Sequence, residues 1–388
     1  MDQTRDTRRP LLRRQSAHPP RFLERALEGS GVQFNGPHTW DIHVHSPAAY
    51  SRMLAQGALG FGEGYVDGLW DCQALDECTA RLVRAGVNRR THWLARLRFA
   101  GHALHYLLGN PQSLRRAFAV TEHHYDIGND LFDAMLDPSM LYSCGYWARA
   151  RTLDQSQRDK LDLICRKLDL QPGEHLLDIG CGWGGLAEHA ARHHGVRVTG
   201  ITISREQATL ARERCRGLPV EITLLDYRQL EGRFDKVVSV GMFEHVGPAN
   251  YATFFDQVQA VLAGHGLFLL HSIGNRGTGR KPDPWFDKYI FPNGKLPSAS
   301  QIAEQAQSRF IIEDWHNFGP DYDRTLLAWW HNFDVAWPRL KARYGERFYR
   351  QWRYYLHASA GFFRSREGQL WQVVMSRPGG RDSYRSVR

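Results

Sequence analysis

The chain reads as an α/β protein: a doubly wound parallel sheet preceded by a smaller amino-terminal α+β unit. Three observations predict this. From Glu174 onward, short apolar runs alternate with helical stretches, the pattern of parallel strands joined by right-handed helical crossovers. The run Leu176-Leu177-Asp178-Ile179-Gly180-Cys181-Gly182-Trp183-Gly184-Gly185 carries an apolar strand into a glycine-rich turn that opens a helix. Before Gly86, short apolar segments are instead separated by turn residues, and 388 residues give room for two or three domains.

In chain order, residues 1–20 form a basic tail, for which a flexible segment is expected: Arg5, Arg8, Arg9, Arg13 and Arg14, with Arg21 beyond, outnumber Asp2, Asp6 and Glu24. Residues 21–88 predict the small α+β unit, from segments such as Val32-Gln33-Phe34-Asn35-Gly36-Pro37 and Ala58-Leu59-Gly60-Phe61-Gly62-Glu63-Gly64-Tyr65. Residues 89–120 mix Arg89, Arg90, Arg96, Arg98, Arg115 and Arg116 with Trp93, Leu94, Leu97, Phe99 and Leu104, as in an amphipathic helical linker. Such a helix suits a membrane surface or its own domain equally well.

Residues 121–388 make the main domain. Strands are expected at 175–179, 196–201, 220–225, 236–240 and 267–270, with helices beginning near Gly184, Ser204 and Pro248. Beyond Gly274 the pattern turns aromatic-rich and irregular, from Trp285 through Tyr355. The uncharged run from Gln257 to Asn275 is split by Gly264-His265-Gly266 into a helix-like and a strand-like half, so it reads as core rather than a membrane span.

The net charge of +9, from 50 basic and 41 acidic residues, favours anionic partners without choosing among nucleic acid, phospholipid and acidic substrates. Six cysteines without a CxxC pair indicate neither a zinc site nor a disulfide framework and suit a reducing, cytoplasmic compartment. The amino terminus lacks the apolar core of a secretory signal. The glycine turn points to a nucleotide-type cofactor, because glycines at the carboxyl edge of a parallel sheet let a ligand approach the backbone closely.

A series of longer motifs then carries a resemblance. His124-Tyr125-Asp126-Ile127-Gly128-Asn129-Asp130-Leu131-Phe132, Leu141-Tyr142-Ser143-Cys144-Gly145-Tyr146-Trp147, the glycine turn, and Met242-Phe243-Glu244-His245-Val246-Gly247 occur in one order. They are followed by Leu270-His271-Ser272-Ile273-Gly274, Tyr289-Ile290-Phe291-Pro292-Asn293-Gly294, Tyr322-Asp323-Arg324-Thr325-Leu326 and Gln369-Leu370-Trp371-Gln372. Together they resemble the cyclopropane-fatty-acyl-phospholipid synthases, which are S-adenosylmethionine-dependent and have a Rossmann-like methyltransferase sheet. The segments Trp40-Asp41-Ile42 and Gly60–Gly68 are similar to the extra amino-terminal domain of the phospholipid enzymes, which the shorter mycolic-acid enzymes lack.

The resemblance implies a cofactor set. Gly180 and Gly182 match the turn approaching the methionine part of S-adenosylmethionine, below the strand-end Asp178. Tyr142 and Ser143 match a preceding loop, Thr202, Ile203 and Gln207 match contacts after the second strand, and Tyr227 and Arg228 fall near the adenine. It also implies a bound bicarbonate ion as base, held by Cys144, Glu244, His271 and Tyr322 and by the backbone at Ile273. Taken singly, Cys144 reads as a small buried hydrophobe, Glu244 as a helix-start carboxylate and Tyr322 as a packed aromatic. His271, at a strand's carboxyl end, stands where open sheets bind ligands. No metal is expected.

The chemistry implied is methylene transfer to the cis double bond of an unsaturated phospholipid acyl chain. An alkene attacking a sulfonium methyl generates a carbocation, which demands a dry, aromatic-lined pocket. In the carboxyl-terminal motif Ser359 stands where many phospholipid enzymes carry cysteine, so no thiol nucleophile is available there, and a cation mechanism needs none. Peripheral contact with the inner face of the cell membrane and a homodimer are expected, with the basic tail, residues 89–116 and the Trp285–Phe291 segment as membrane contacts. Other readings are a methyltransferase making methyl-branched acyl chains or methylating a small molecule, a catalytically dead lipid-binding scaffold, and a nucleic-acid methyltransferase, for which the motifs are missing.

Overall fold

The computed structural model describes residues 18–87, 128–278 and 282–388. Nearly all of the basic tail, the 89–120 linker and residues 124–127 of the first long motif lie outside them.

The leading unit contains α1 (Arg21–Leu27), β1 (His43–Val44), α2 (Ala48–Gln56), α3 (Ala58–Val66), β2 (Trp70–Asp71) and α4 (Leu75–Arg84), with β1 and β2 forming a two-residue antiparallel ladder. It is more helical than the turn-rich sequence suggests. The glycines of Ala58–Tyr65 lie inside α3, and close packing explains them: a Cβ on Gly62 would meet the Trp285 ring at 2.5 Å, and one on Gly64 the Trp70 ring at 3.2 Å. These glycines make room for indoles, so their flexibility is suppressed rather than used.

The main domain continues with α5 (Asn129–Met135), α6 (Leu153–Lys167), β3 (His175–Ile179), α7 (Gly185–His194), β4 (Arg197–Thr202), α8 (Arg205–Arg214) and β5 (Val220–Leu224). It closes with β6 (Phe234–Val240), α9 (Tyr251–Val261), β7 (Leu262–Asn275), α10 (Pro284–Tyr289), α11 (Ala299–Gln307), β8 (Ile311–Asn317), α12 (Pro320–Arg364) and β9 (Gly368–Ser376). Among the described residues these strands form one seven-stranded sheet of order β5-β4-β3-β6-β7-β9-β8. The first five run parallel, and β9 inserts antiparallel between β7 and β8. This is the doubly wound α/β sheet expected from the sequence, with the order reversing between β3 and β6, where such sheets bind ligands.

Two expectations are corrected here. The Gly264-His265-Gly266 break lies within β7, which begins at Leu262, and the register between β6 and β7 slips there. The region beyond Gly274 is ordered into β8, α12 and β9, and every residue of β9 is buried. Its alternation of Gln, Leu, Trp and Val hides a central strand, because both of its faces are covered and no polar face is left to mark the period.

α12 is two helices meeting at Gly345, whose φ of +74° reverses the chain. The arms pack against each other through rings: Tyr322 stacks on Phe363 at 4.4 Å, and Trp330 and Phe333 meet Tyr349 at 5.4 and 5.9 Å. The second arm also binds the leading unit. Arg350 donates to Tyr65 O, Trp70 O and Asp71 Oδ1, while Arg364 pairs with Asp76, Glu77 and Asp323. No helix among the described residues is long and apolar enough to cross a membrane.

Candidate active site

The carboxyl ends of β3, β4, β5 and β6 open on one cleft. The turn after β3 shapes it. Gly180, Gly182 and Gly184 have φ values of +84°, +55° and +82°, and Gly180 N–H and Cys181 N–H both donate to Ile201 O at 2.9 Å, tying the turn to β4. A Cβ on Gly180 would sit 2.9 Å from that of Met242, whereas one on Gly182 would project into open space. At the end of β4, Thr202 Oγ1 donates to Gln207 Oε1 at 2.8 Å, and the Ser204 side chain caps α8 by accepting from Gln207 N–H. After β5, the Arg228 guanidinium forks onto Asp226 at 2.7 Å and lies 5.2 Å from the Tyr227 ring centroid.

Tyr142, Ser143, Asp178, Gly180, Gly182, Thr202, Ile203, Gln207, Tyr227 and Arg228 all line this one cleft. Under the Tyr142-Ser143 loop, two buried polar side chains of α6 act as supports. Gln157 Nε2 donates to the carbonyls of Ser143 and Leu141 at 2.8 and 3.3 Å, and Lys160 Nζ donates to Ser143 Oγ at 2.8 Å. Burial pulls the Lys160 ammonium down to about 8 and pushes the Asp178 carboxyl up to about 7, the latter opposed by the Lys160 charge. Asp178 Oδ2 is buried without a partner. An unpartnered acceptor beside a cradle open over Gly182 fits a ligand that carries hydrogen-bond donors.

A second set of buried polar groups comes from the turn after β6, from β7 and from the Cys144 loop. Glu244 sits in the short turn after β6, between the cleft-lining Met242 and His245. Its Oε1 accepts from Ile273 N–H at 2.6 Å, its Oε2 has no partner, and burial pushes the carboxyl up to about 7. His271, near the end of β7, stands opposite Gln372 of β9, with its Nδ1 3.3 Å from Gln372 Nε2. Burial, with the charges of Lys160 and Lys167, holds the imidazole far below its ordinary value and hence neutral. With Nδ1 accepting from the Gln372 amide, the ring proton belongs on Nε2, which is buried and unpartnered.

Cys144 is fully buried. Its Sγ donates to Gly145 O at 3.2 Å and lies 3.7 Å from Thr325 Oγ1, and burial pushes the thiol well above its ordinary range. Thr325 also receives Gly145 N–H and Trp147 Nε1–H, so it fastens the Cys144 loop to the first arm of α12, one turn after Tyr322. Rings close the region: Tyr142 meets Phe132 and Trp329 at 5.2 and 5.1 Å, and its hydroxyl lies 2.7 Å from that of Tyr355.

The structure thus joins Glu244 to Ile273 directly, aligns His271 on Gln372, and ties Cys144 to the helix that bears Tyr322. Ile273 differs from expectation in one respect, because its N–H already donates to Glu244 Oε1. Ser359 is half-buried on the second arm of α12, four residues beyond Tyr355. Trp285 is corrected as a membrane contact: it has no exposure and is seated against Gly62 and the Tyr354 ring. Gln157, Lys160, Thr325 and Gln372 were not singled out as site residues. A signal for the first two does exist in the sequence, since Gln157 and Lys160 fall on the apolar face of α6 beside Leu161 and Ile164.

Residues 112–373 match the family model described as mycolic acid cyclopropane synthetase. The chain is 52% identical over 359 residues to the cyclopropane-fatty-acyl-phospholipid synthase of Escherichia coli (strain K12), covering 92% of this chain and 93% of the relative. It is 33% identical to tuberculostearic acid methyltransferase UfaA1 of Mycobacterium tuberculosis, over 95% and 90% of the two chains. Among solved structures, mycolic acid cyclopropane synthase CmaA1 complexed with SAH and CTAB superimposes with a TM-score of 0.63 at 31% identity, covering 67% of this chain and 98% of that one. The chain therefore belongs to the cyclopropane-fatty-acyl-phospholipid synthase family of S-adenosylmethionine-dependent methyltransferases.

Proposed function

We propose that the chain transfers a methylene group from S-adenosylmethionine to the cis double bond of an unsaturated phospholipid acyl chain, closing a cyclopropane ring, with bicarbonate as the base. The observation that carries this reading is that two buried polar atoms, Glu244 Oε2 in the turn between the cleft-lining Met242 and His245 and His271 Nε2 on β7, have no partner. S-adenosylmethionine, when bound, supplies an electrophilic methyl group, and the ten residues along the cleft would hold it. Bicarbonate, when bound, supplies a proton acceptor, and Cys144, Glu244, His271 and Tyr322 would hold it.

The chain's own groups suit an anion here. His271 presents Nε2–H because Gln372 occupies Nδ1. Glu244, raised to about 7, exchanges between its neutral and ionised forms near neutral pH, and in the neutral form Oε2 can donate rather than repel. Lys160 and Lys167 add positive potential at His271. The aromatic wall of Phe132, Tyr142, Trp329 and Tyr355 excludes water, which would divert a carbocation to an alcohol, and each ring face contributes roughly 0.5 to 2 kcal/mol toward a nearby cation.

We place the enzyme at the cytoplasmic face of the membrane as a peripheral homodimer, since its substrate's double bond lies inside a bilayer and its net charge of +9 favours an anionic surface. The test is incubation with labelled S-adenosylmethionine and vesicles of unsaturated phospholipid, with and without bicarbonate, followed by mass spectrometry and proton NMR of the acyl chains. Label in a cyclopropane ring, with turnover falling when bicarbonate is removed, is expected. Label in a methyl branch or a headgroup would overturn the ring-forming assignment. Unchanged turnover without bicarbonate would remove the ion from the site.

A further inference from the structure

Away from the reaction site, two helices that flank the cofactor cleft bring together side chains with no part in the chemistry above. Cys165 lies in the last turn of α6, and His189 and His194 lie on α7. Cys165 Sγ and one ring nitrogen of each histidine are within 4.8 Å of one another. Asp162, one turn before Cys165, places Oδ1 2.9 Å from His189 Nε2. Cys165 is fully buried, the two histidines are half-buried, and the ring of the exposed His193 lies tilted against that of His189, 4.6 Å between centroids.

We propose that Cys165, His189 and His194, with Asp162 beside them, bind one thiophilic divalent cation of the zinc class. Thiolate and imidazole are the donors that zinc prefers. With zinc–sulfur and zinc–nitrogen bonds of about 2.3 and 2.0–2.1 Å, tetrahedral donors stand about 3.3–3.6 Å apart. Contraction from 4.8 Å is on the order of an ångström, within reach of imidazole rotation. The charges balance: as the metal–sulfur bond forms, the Cys165 thiol gives its proton to solvent, and the thiolate with the Asp162 carboxylate neutralises a dication. Both helices also direct their carboxyl ends here, since α6 closes at Lys167 and α7 at His194, and helix carboxyl termini favour cations.

The ligands come from two helices separated by β3, which is why no short cysteine–histidine motif announces them. The bound metal braces what the cleft depends on. α6 carries Gln157 and Lys160, which hold the Tyr142-Ser143 loop, and α7 continues from the glycine turn.

The test uses the full chain, stripped with a chelator and titrated with Co²⁺ as a spectroscopic probe, then with Zn²⁺ in competition. Expected are one equivalent of Co²⁺, a thiolate-to-cobalt charge-transfer band with the strong d–d bands of four-coordinate cobalt, and loss of both on adding Zn²⁺. Cys165→Ala removes the charge-transfer band. His194→Gln, a half-buried change that leaves the core intact, weakens binding by about tenfold or more, and Asp162→Asn by about tenfold. Absence of stoichiometric uptake by the unaltered chain overturns the proposal. So does a charge-transfer band that persists in Cys165→Ala, or a Co²⁺ affinity in His194→Gln equal to that of the parent, with folding checked by circular dichroism in each case.

Discussion

The cofactor cleft and the second set of buried polar groups are built on opposite plans. The cleft is a backbone construction: positive-φ glycines, strand ends and a helix cap shape an open space, and its main contributors follow one another between Asp178 and Arg228. The second set is a side-chain construction: Cys144, Glu244, His271, Tyr322 and Gln372 come from distant segments and are each buried, and Glu244 Oε2, His271 Nε2 and Gln372 Oε1 are left without a partner. The difference teaches a division of labour. An open cradle can be solvated when empty and serves for binding, whereas unpartnered groups in a dry layer cost stability and are retained where they act on a proton or an anion.

The sharpest way to separate the two regions is His271→Ala. Removing the Nε2–H donor is expected to lower kcat by about 10²- to 10⁴-fold, the range for a positioned acid–base group. The KM for S-adenosylmethionine should stay within about threefold, less than 1 kcal/mol of binding free energy. Steady-state kinetics with phospholipid vesicles gives both quantities. A KM that rises along with the fall in kcat would mean that cleft and cluster are one unit and would break the comparison.

Glu244 offers an equilibrium test of the same set. Its carboxyl is raised in the folded protein, from an ordinary 4.5 to about 7. Its contribution to stability is therefore complete below about 4.5 and is lost as pH rises through 7. The loss is on the order of 3 kcal/mol if the unfolded group titrates normally. Glu244→Gln keeps an acceptor for Ile273 N–H and cannot ionise, so its stability should fall less than that of the parent between pH 5 and 8. Urea unfolding at several pH values measures the difference between the two slopes. Equal slopes would show that Glu244 is already ionised and paired in the folded state.

In the cleft, Gly180→Ala is expected to show the opposite kinetic signature to His271→Ala. A side chain there meets a φ of +84° and a Met242 contact of 2.9 Å. Strain of this kind amounts to about 1–3 kcal/mol and distorts the cradle, so the cofactor KM should rise by about 10- to 100-fold with kcat little changed. A collapse of kcat at unchanged KM would place the turn in the chemistry rather than in binding.

The two plans also explain what could be read from the sequence. The expected strand at 175–179 coincides with β3, and those at 196–201, 220–225 and 236–240 fall within two residues of β4, β5 and β6, because parallel strands covered on both faces leave continuous apolar runs. β8 and β9 were not legible. Their antiparallel partners lie across a 45-residue helical hairpin, and β9 alternates between two faces that are both buried. In the site, the glycine turn announces itself through backbone necessity. Nothing local in the sequence says that Gln372 orients His271 or that Thr325 fastens Cys144, since both relations exist only after β7 has paired with β9 and α12 has packed on the loop.

The smallest expected effect concerns Ser359, and it tests whether the second set works through covalent chemistry at all. The residue lies on the second arm of α12, half-buried, one helical turn from Tyr355, whose hydroxyl contacts that of Tyr142 at the cleft wall. If a carbocation forms and is deprotonated by a bound base, no nucleophile is needed at position 359. Ser359→Ala should then keep kcat within about threefold of the parent, which corresponds to less than 1 kcal/mol. Ser359→Cys should behave alike, because a thiol there only alters the polarity of the lining. Parallel rate measurements on the two variants decide the matter: a near-complete loss in the alanine form, with activity retained in the cysteine form, would require a heteroatom nucleophile and shift the chemistry from the anion site to α12.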